Sequence, residues 1–279
     1  MNNKIAVFIM VHGRPDKMKT FYTLRNQGFT GDIHLIADDQ DGTSDEYKSM
    51  FPSVIVFEKS KTASRMDSGD NSGDLRSTLF AANTAFDLAK SMGITHFFLM
   101  CDDYYDFYYA FPDTKGKVVP KNLDRLFCNM VDFYEASGAK SLAFAQTGDF
   151  IGGIDNGKQM YRFSKRKVMN TFLCSPSRRF QFVGRLNEDV TTYTLLGGRG
   201  DLFLTIPVIA MGQKDTQQAK NGLSNVYKDN GTYVKSFFSV MYNPSCVKTA
   251  MMGANHKRIH HTINWANAVP QIIDSKYKK

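Results

Sequence analysis

Cysteine is scarce in this chain and shows no pairing pattern. Cys101, Cys128, Cys174 and Cys246 lie far apart and form no C-x-x-C, which argues against a zinc site or a disulfide framework and for a reducing, cytoplasmic setting. No apolar window reaches membrane-spanning length, and the short apolar run ending at Val11 fits a first strand better than a signal peptide, so neither a membrane partner nor secretion is expected. Absence of a P-loop and of G-x-G-x-x-G removes support for a kinase or a dinucleotide enzyme. Internal repeats and low-complexity tracts are missing too. With only 8 prolines in 279 residues, long regular elements can run unbroken.

What is present suffices for one large domain: 42% of residues are hydrophobic, enough to bury a sizeable core without staples. The formal charge is +8, which favours a polyanionic partner. Acidic residues gather before position 107. Lys and Arg instead cluster between Lys158 and Arg179, through Arg162, Lys165, Arg166, Lys167 and Arg178, and recur at Lys257, Arg258 and the last four residues. Tyr161, Phe163, Phe172, Phe180 and Phe182 are interleaved with the first cluster, a composition that can track phosphates and stack a base, or equally a basic surface over core aromatics.

Hydrophobic periodicity predicts strands at Ile5 to Val11, Asp32 to Ala37, Val54 to Phe57, Ser141 to Ala145 and Leu202 to Ala210. It predicts helices at Asp16 to Asn26 behind Pro15, at Leu75 to Met92 and at Leu123 to Ala136. Asn187 is placed to cap a further helix with Glu188 and Asp189 in its first turn. The order of strands and helices is that of an α/β protein with a mixed, mostly parallel sheet flanked by helices.

The run from Gly93 to Cys101 reads as a strand buried on both faces, and it ends in Asp102 and Asp103. The C-terminal edge of such a sheet is where open α/β folds hold ligands. Two adjacent carboxylates repel each other, and hard ions such as Mg²⁺ or Mn²⁺ relieve that repulsion. The first two strands deliver His12, Arg14, Asp38 and Asp39 to the same edge, with Asp41 reading rather as an Asx turn before Gly42. Arg76 opens the helix before the aspartate strand and can reach a phosphate or form a surface ion pair. Tyr104, Tyr105, Phe107, Tyr108 and Tyr109 read as an aromatic run that stacks a sugar or base, or as a packed loop. Three of the six histidines, His256, His260 and His261, fall in one late segment, and only one of the adjacent pair can face a site if that segment is a strand.

These residues resemble the nucleotide-sugar glycosyltransferases of the GT-A type, with their Rossmann-like sheet. The resemblance implies that Asp103 stands for the last acid of an Asp-x-Asp metal motif and that Asp102 and the strand-end residues contact the donor. It further implies that His256 or His261 completes the metal site and that Glu188-Asp189 is the acidic pair whose Asp is the general base of an inverting transfer. Cys101 occupies the first position of the Asp-x-Asp motif and departs from it. Phe98-Leu-Met-Cys-Asp-Asp-Tyr104, Gly184-Arg-x-x-Glu-Asp-x-Thr191 and Ile259-His-His-x-Ile-x-Trp265 are most similar to the phage DNA-base glycosyltransferases associated with TET/JBP-type hydroxylation and related to the base J glucosyltransferase. That implies a divalent metal (Mn or Mg), a UDP-sugar donor and an acceptor of double- or single-stranded DNA carrying 5-hydroxymethylcytosine, 5-hydroxymethyluracil or a similar pyrimidine in bacteriophage DNA. The basic residues Lys165, Arg166, Lys167, Arg178 and Arg179 would then grip that DNA. Within a single domain spanning 1–279, 1–110 would be the donor half, 111–265 the acceptor half and 266–279 a basic tail. A transferase acting on a cell-surface glycan, a nucleotidyltransferase and a non-catalytic DNA-binding protein are the competing readings.

Overall fold

The computed structural model describes residues 3–70, 72–110, 117–146, 166–213, 225–226, 229, 231, 233–253 and 257–268. In chain order the elements are β1 (Ile5–Met10), α1 (Lys19–Asn26), β2 (Asp32–Asp38), α2 (Ser44–Met50), β3 (Val54–Phe57), α3 (Lys59–Ala63), α4 (Leu79–Ser91), β4 (His96–Cys101) and β5 (Tyr104–Tyr109). There follow α5 (Leu123–Ser137), β6 (Ser141–Gln146), β7 (Phe172–Cys174), α6 (Glu188–Gly198), β8 (Phe203–Gln213), α7 (Val234–Tyr242), β9 (Val247–Met252), β10 (Arg258–Ile263) and α8 (Trp265–Ala268).

Eight strands form one sheet in the order β3-β2-β1-β4-β7-β6-β8-β5, and β9 pairs with β10 in a separate hairpin. β1, β2, β3 and β4 are parallel, as are β6 and β8, while β7 and β5 run against their neighbours. The mixed, mostly parallel sheet expected from the sequence is the one observed.

Side-chain alternation along β1 divides the core. Val7 and Ile9 join Leu35, Phe98 and Met100 with Leu24 of α1 and Phe127 and Met130 of α5. Ala6 and Phe8 face the other way and join Phe97 and Leu99 with Leu79, Phe80, Ala85 and Phe86 of α4. Phe98 stacks on Phe127 with ring centroids 4.0 Å apart, and each fully buried Phe contributes roughly 1.5–3 kcal/mol of transfer free energy. α5 starts where Asn122 Oδ1 accepts the Arg125 N–H at 2.8 Å and stops at Gly138 with φ 67°. Pro207 falls in β8 where the register with β6 slips between Phe144 and Ala145, a position that needs no ladder donor.

Several elements differ from expectation. The helix behind Pro15 is a 3-10 turn over Pro15–Lys17, and α1 begins only at Lys19, because Asp102 O takes the Lys19 and Thr20 N–H groups at 2.8 and 3.1 Å. α4 begins at Leu79, since Asp74 accepts the Arg76 N–H and Ser77 Oγ accepts the Leu79 N–H, holding the preceding residues in turns. The aromatic run Tyr104–Tyr109 is strand β5 with Tyr104 and Phe107 buried, not a loop. Phe172, Phe180 and Phe182 belong to the core: Phe172 meets Phe182 at 5.0 Å and Phe180 meets Phe203 at 5.4 Å. They are not available to stack a base. No helix among the described residues is long and apolar enough to cross a membrane.

Candidate active site

The C-terminal edge of β1, β2 and β4 gathers the first set of expected residues. Asp38, buried at the end of β2, accepts from His12 Nδ1 at 3.1 Å, Lys59 Nζ at 3.2 Å and the Gln40 N–H at 3.1 Å. Burial would raise its carboxyl, but His12 and Lys59 outweigh that and hold it below the usual range; the same hydrogen bond raises His12. Asp38 is therefore committed to internal partners, and it holds out an imidazole that remains 47% exposed. Asp39 is exposed, with Oδ1 accepting the Lys59 N–H at 2.9 Å. Asp41 forms the Asx turn, taking the Thr43 N–H at 2.9 Å, and also fixes Gly13 N at 3.0 Å.

At the end of β4, Asp102 is 2% exposed. Its Oδ1 accepts from Arg14 Nη2 at 2.6 Å, while its Oδ2 is buried without a hydrogen-bond partner among the described residues. Burial pushes this carboxyl up to about 6 against the pull of Arg14. Asp103 is partly exposed; its Oδ1 accepts from Gln213 Nε2 at 2.9 Å, and Gln213 Oε1 in turn accepts from Asn170 at 2.9 Å. Burial raises Asp103 as well, opposed first by that hydrogen bond.

The second acidic pair begins α6. Asn187 has left-handed backbone (φ 58°) and does not cap the helix with its side chain, contrary to expectation. Its Nδ2 instead donates to Ser239 Oγ of α7 at 2.6 Å and lies 3.4 Å from His261 Nδ1. Glu188 Oε1 accepts the Thr78 hydroxyl, and burial together with Asp189 pushes Glu188 up to about 7. Asp189 Oδ1 accepts the Val190 N–H at 2.7 Å; burial raises this acid too, against that bond and the charges of Lys235 and Lys167. His261 faces this helix end, and the His260 ring lies beside it with centroids 4.3 Å apart. Burial, aided by His260, Lys235 and Lys167, pushes His261 down to about 3, so its ring is neutral near pH 7.

Asp102, Asp103 and Glu188 stand close enough to Cys101 for their charges to reach it. Burial pushes its thiol well up, and the charges of Asp103, Asp102 and Glu188 all act on it.

Other expected residues are placed elsewhere. Arg76 is an exposed surface pair with Asp74 at 2.9 Å and Asp229 at 3.1 Å, which is the plain alternative for it. Arg178 bonds Glu135 and packs 4.4 Å over the Tyr134 ring, and Arg179 pairs with Asp87, so both are tied to the body of the molecule. Arg166 is exposed, Lys167 stands near Asp189, and Lys165 and His256 lie outside the described residues. Among the described residues no three His, Cys, Asp or Glu gather closely enough to hold a metal ion, so His261 is not assembled with Asp103 into a closed cage.

Sequence reasoning left four contributors unassigned: Arg185, Thr78, Gln213 and Lys235. Arg185, buried at 6%, clasps Asp70 through Nε (3.0 Å) and Nη2 (2.8 Å) and reaches Asp74 at 3.3 Å. Its N–H donates to Ser68 O at 2.8 Å and its carbonyl accepts from Ser77 Oγ at 2.6 Å, stitching 68–78 to the start of α6. An arginine three residues before an acidic pair was a visible signal; Gln213, distant in sequence, gave none.

The model of the TET-associated glycosyltransferase family matches residues 5–222. Among solved structures, the chain is similar to glucosyl-3-phosphoglycerate synthase from Mycobacterium tuberculosis, crystallised with Mg²⁺ and uridine diphosphate. The identity is 7% and the TM-score 0.49, over 94% of this chain and 88% of that one. It is also similar to a mannosyltransferase from Pyrobaculum calidifontis in complex with GDP-mannose and Mn²⁺, at 9% identity and a TM-score of 0.49, over 88% and 74% of the two chains. A search of the curated proteins finds no match.

Proposed function

The chain belongs to the TET-associated glycosyltransferase family, and from that premise we propose that it moves a sugar from a UDP-sugar to the hydroxyl of a hydroxylated pyrimidine in DNA, with the help of a divalent ion. The observation that carries this reading is that Asp102, Asp103 and Glu188 all stand close enough to Cys101 for their charges to act on its thiol. Asp102-Asp103 suits a leaving diphosphate, Glu188-Asp189 an attacking hydroxyl. TET-type hydroxylation supplies the kind of hydroxyl that such an acceptor needs.

Two adjacent acids, one with a buried oxygen that has no hydrogen-bond partner among the described residues, fit Mg²⁺ or Mn²⁺ of the sort held by one or two carboxylates plus substrate phosphates. Asp103 would hold the ion, with Asp102 beside it; when bound, it offsets charge developing on the departing diphosphate. His12 presents its exposed ring to the donor, oriented by Asp38. Arg14 keeps Asp102 from repelling the same phosphates outright.

Asp189 acts as general base. Its Oδ1 is fixed by the Val190 N–H, and its Oδ2 accepts no hydrogen bond among the described residues, leaving it to take the acceptor proton. A direct displacement of this kind inverts the anomeric centre. Glu188, held by Thr78, keeps a proton close to neutral pH and so limits the negative charge beside the base. In this reading 1–110 carries the donor residues and 111–265 the acceptor residues.

The test is transfer from a panel of UDP-sugars with Mn²⁺ to hydroxymethylated and unmodified DNA, read by mass spectrometry of the nucleosides. Sugar appearing only on the modified base supports the proposal. Donor hydrolysis with every DNA left untouched moves the acceptor to another class of molecule, and inertness toward every donor removes the enzymatic reading.

A further inference from the structure

From Asn230 to Ile273 the sequence contains no Asp and no Glu, while Lys235, Lys248, Lys257 and Arg258 fall within that span. The structure folds its described part into α7, the β9–β10 hairpin and α8, and α7 touches α6 and both strands of the hairpin. Along one side of α7, Tyr233, Phe237 and Met241 recur every four residues and are 48%, 47% and 55% exposed. Tyr233 and Phe237 meet edge to face at 6.0 Å. Where β9 leads into β10, Met251 and Ile259 lie directly opposite each other, and both are exposed. Lys248 and Lys257 are exposed on the same unit. Trp265 opens α8 with its ring stacked on the buried Tyr193 at 6.0 Å and 9°, leaving the indole 40% exposed.

Exposed apolar side chains at this density on one unit mark an interaction surface rather than scattered surface residues. Positive charge without a single carboxylate selects a polyanion, and exposed aromatic faces among lysines suit a strand whose bases are unstacked. The unit also abuts the acids: His261 of β10 is 3.4 Å from Asn187 at the head of α6, and Lys235 is near enough for its charge to act on Asp189.

We propose that α7, the β9–β10 hairpin and Trp265 form the surface on which a DNA strand lies while its target nucleotide enters the site at Asp189. This rests on the reading of DNA as the acceptor, and it moves the DNA contact from Arg178 and Arg179, which pair with Glu135 and Asp87, to the acid-free segment. Phosphates run past Lys248 and Lys257, and unpaired bases rest on Phe237 and Trp265.

The experiment titrates the full chain with a fluorescently labelled single-stranded oligonucleotide at several salt concentrations. It follows anisotropy and, in parallel, the emission of Trp265, the only tryptophan in the chain. Expected results are quenching of Trp265 on binding, a loss of at least about tenfold in affinity for K248E/K257E with the log–log salt slope smaller by about two, and a loss of about fivefold or more for Phe237→Ala. The charge-matched control K4E/K90E, at the opposite edge of the sheet, stays within about twofold. Donor hydrolysis stays at the wild-type rate in all three variants, which establishes that each is folded. DNA binding that survives in K248E/K257E with Trp265 emission unchanged overturns this surface and leaves the proposed function standing. Failure of the wild-type chain to bind or modify any DNA overturns both. A wild-type dimer that Phe237→Ala dissociates without altering DNA affinity assigns the face to a second copy and overturns the proposal.

Discussion

Arg14 Nη2 donates to Asp102 Oδ1 at 2.6 Å, joining the loop after β1 to the end of β4 across 88 positions of sequence. The arginine is the positive charge that lets a nearly inaccessible carboxylate exist beside a second one. Opposing effects meet there, since burial drives Asp102 towards its neutral form and Arg14 draws it back.

Arg14→Ala removes that counter-charge and strands the acid. Breaking one partner of a buried pair destabilises by several kcal/mol, and Arg14's partial exposure (24%) reduces this to about 2–3 kcal/mol. Urea unfolding measures it, with Arg14→Lys retaining part of the loss. An unchanged midpoint would mean the pair contributes nothing.

Asp189→Asn keeps the shape of α6's first turn and removes the base. Turnover on DNA is expected to fall by about 10² to 10⁴-fold, while affinity for the nucleoside diphosphate, measured by calorimetry, stays within about twofold. A parallel loss of donor affinity would instead place Asp189 in the donor site.

Asp103→Asn should weaken UDP binding by about tenfold or more in Mn²⁺ and leave the weaker binding in EDTA unaltered, because the carboxylate acts on phosphate through the ion. Equal losses with and without metal would assign Asp103 a direct role.

Glu188 gives a pH-dependent stability with a defined sign. Its folded value, about 7, stands above its ordinary 4.5, so the folded state holds the proton more tightly and stability falls as pH rises through that window. Glu188→Gln should therefore stabilise the protein at pH 8, by up to about 3 kcal/mol, and match wild type at pH 4. Thermal melts across pH decide it; a constant difference at all pH values would show that the titration of Glu188 is not its source.

Arg185→Ala cuts the clasp between 68–78 and α6. Loss of about 3–5 kcal/mol is expected for a buried ion pair missing one partner, and Asp70→Asn should cost less because the Asp74 contact survives. Comparable losses in both variants would show that Asp70 alone carries the network.

Much of the donor side was legible because its signals are local. An unbroken apolar run ending in Asp102-Asp103 announces a central strand and its ligand edge, and the spacing in 75–92 announces α4 to within a turn. β5 was hidden because five aromatic residues in six follow no simple alternation, and only pairing with β8 gives them a strand's geometry. The hairpin's second strand was visible as a segment, but β9 and α7 were not, since Lys248, Met251 and Met252 are exposed and no polar-apolar contrast marks them.

The sequence alone determined the alternation that splits the core, the acids at the ends of β4 and at the start of α6, and the absence of carboxylates after Asp229 until Asp274. These follow from residue type and near-neighbour spacing. Only the tertiary structure decided that Glu188 leans on Thr78, that Asp38 accepts from His12 and Lys59, that Arg178 turns inward, and that the acid-free segment folds beside Asp189. Such pairings join groups tens of residues apart, and burial fixes them because a charge removed from water is stable only beside a partner.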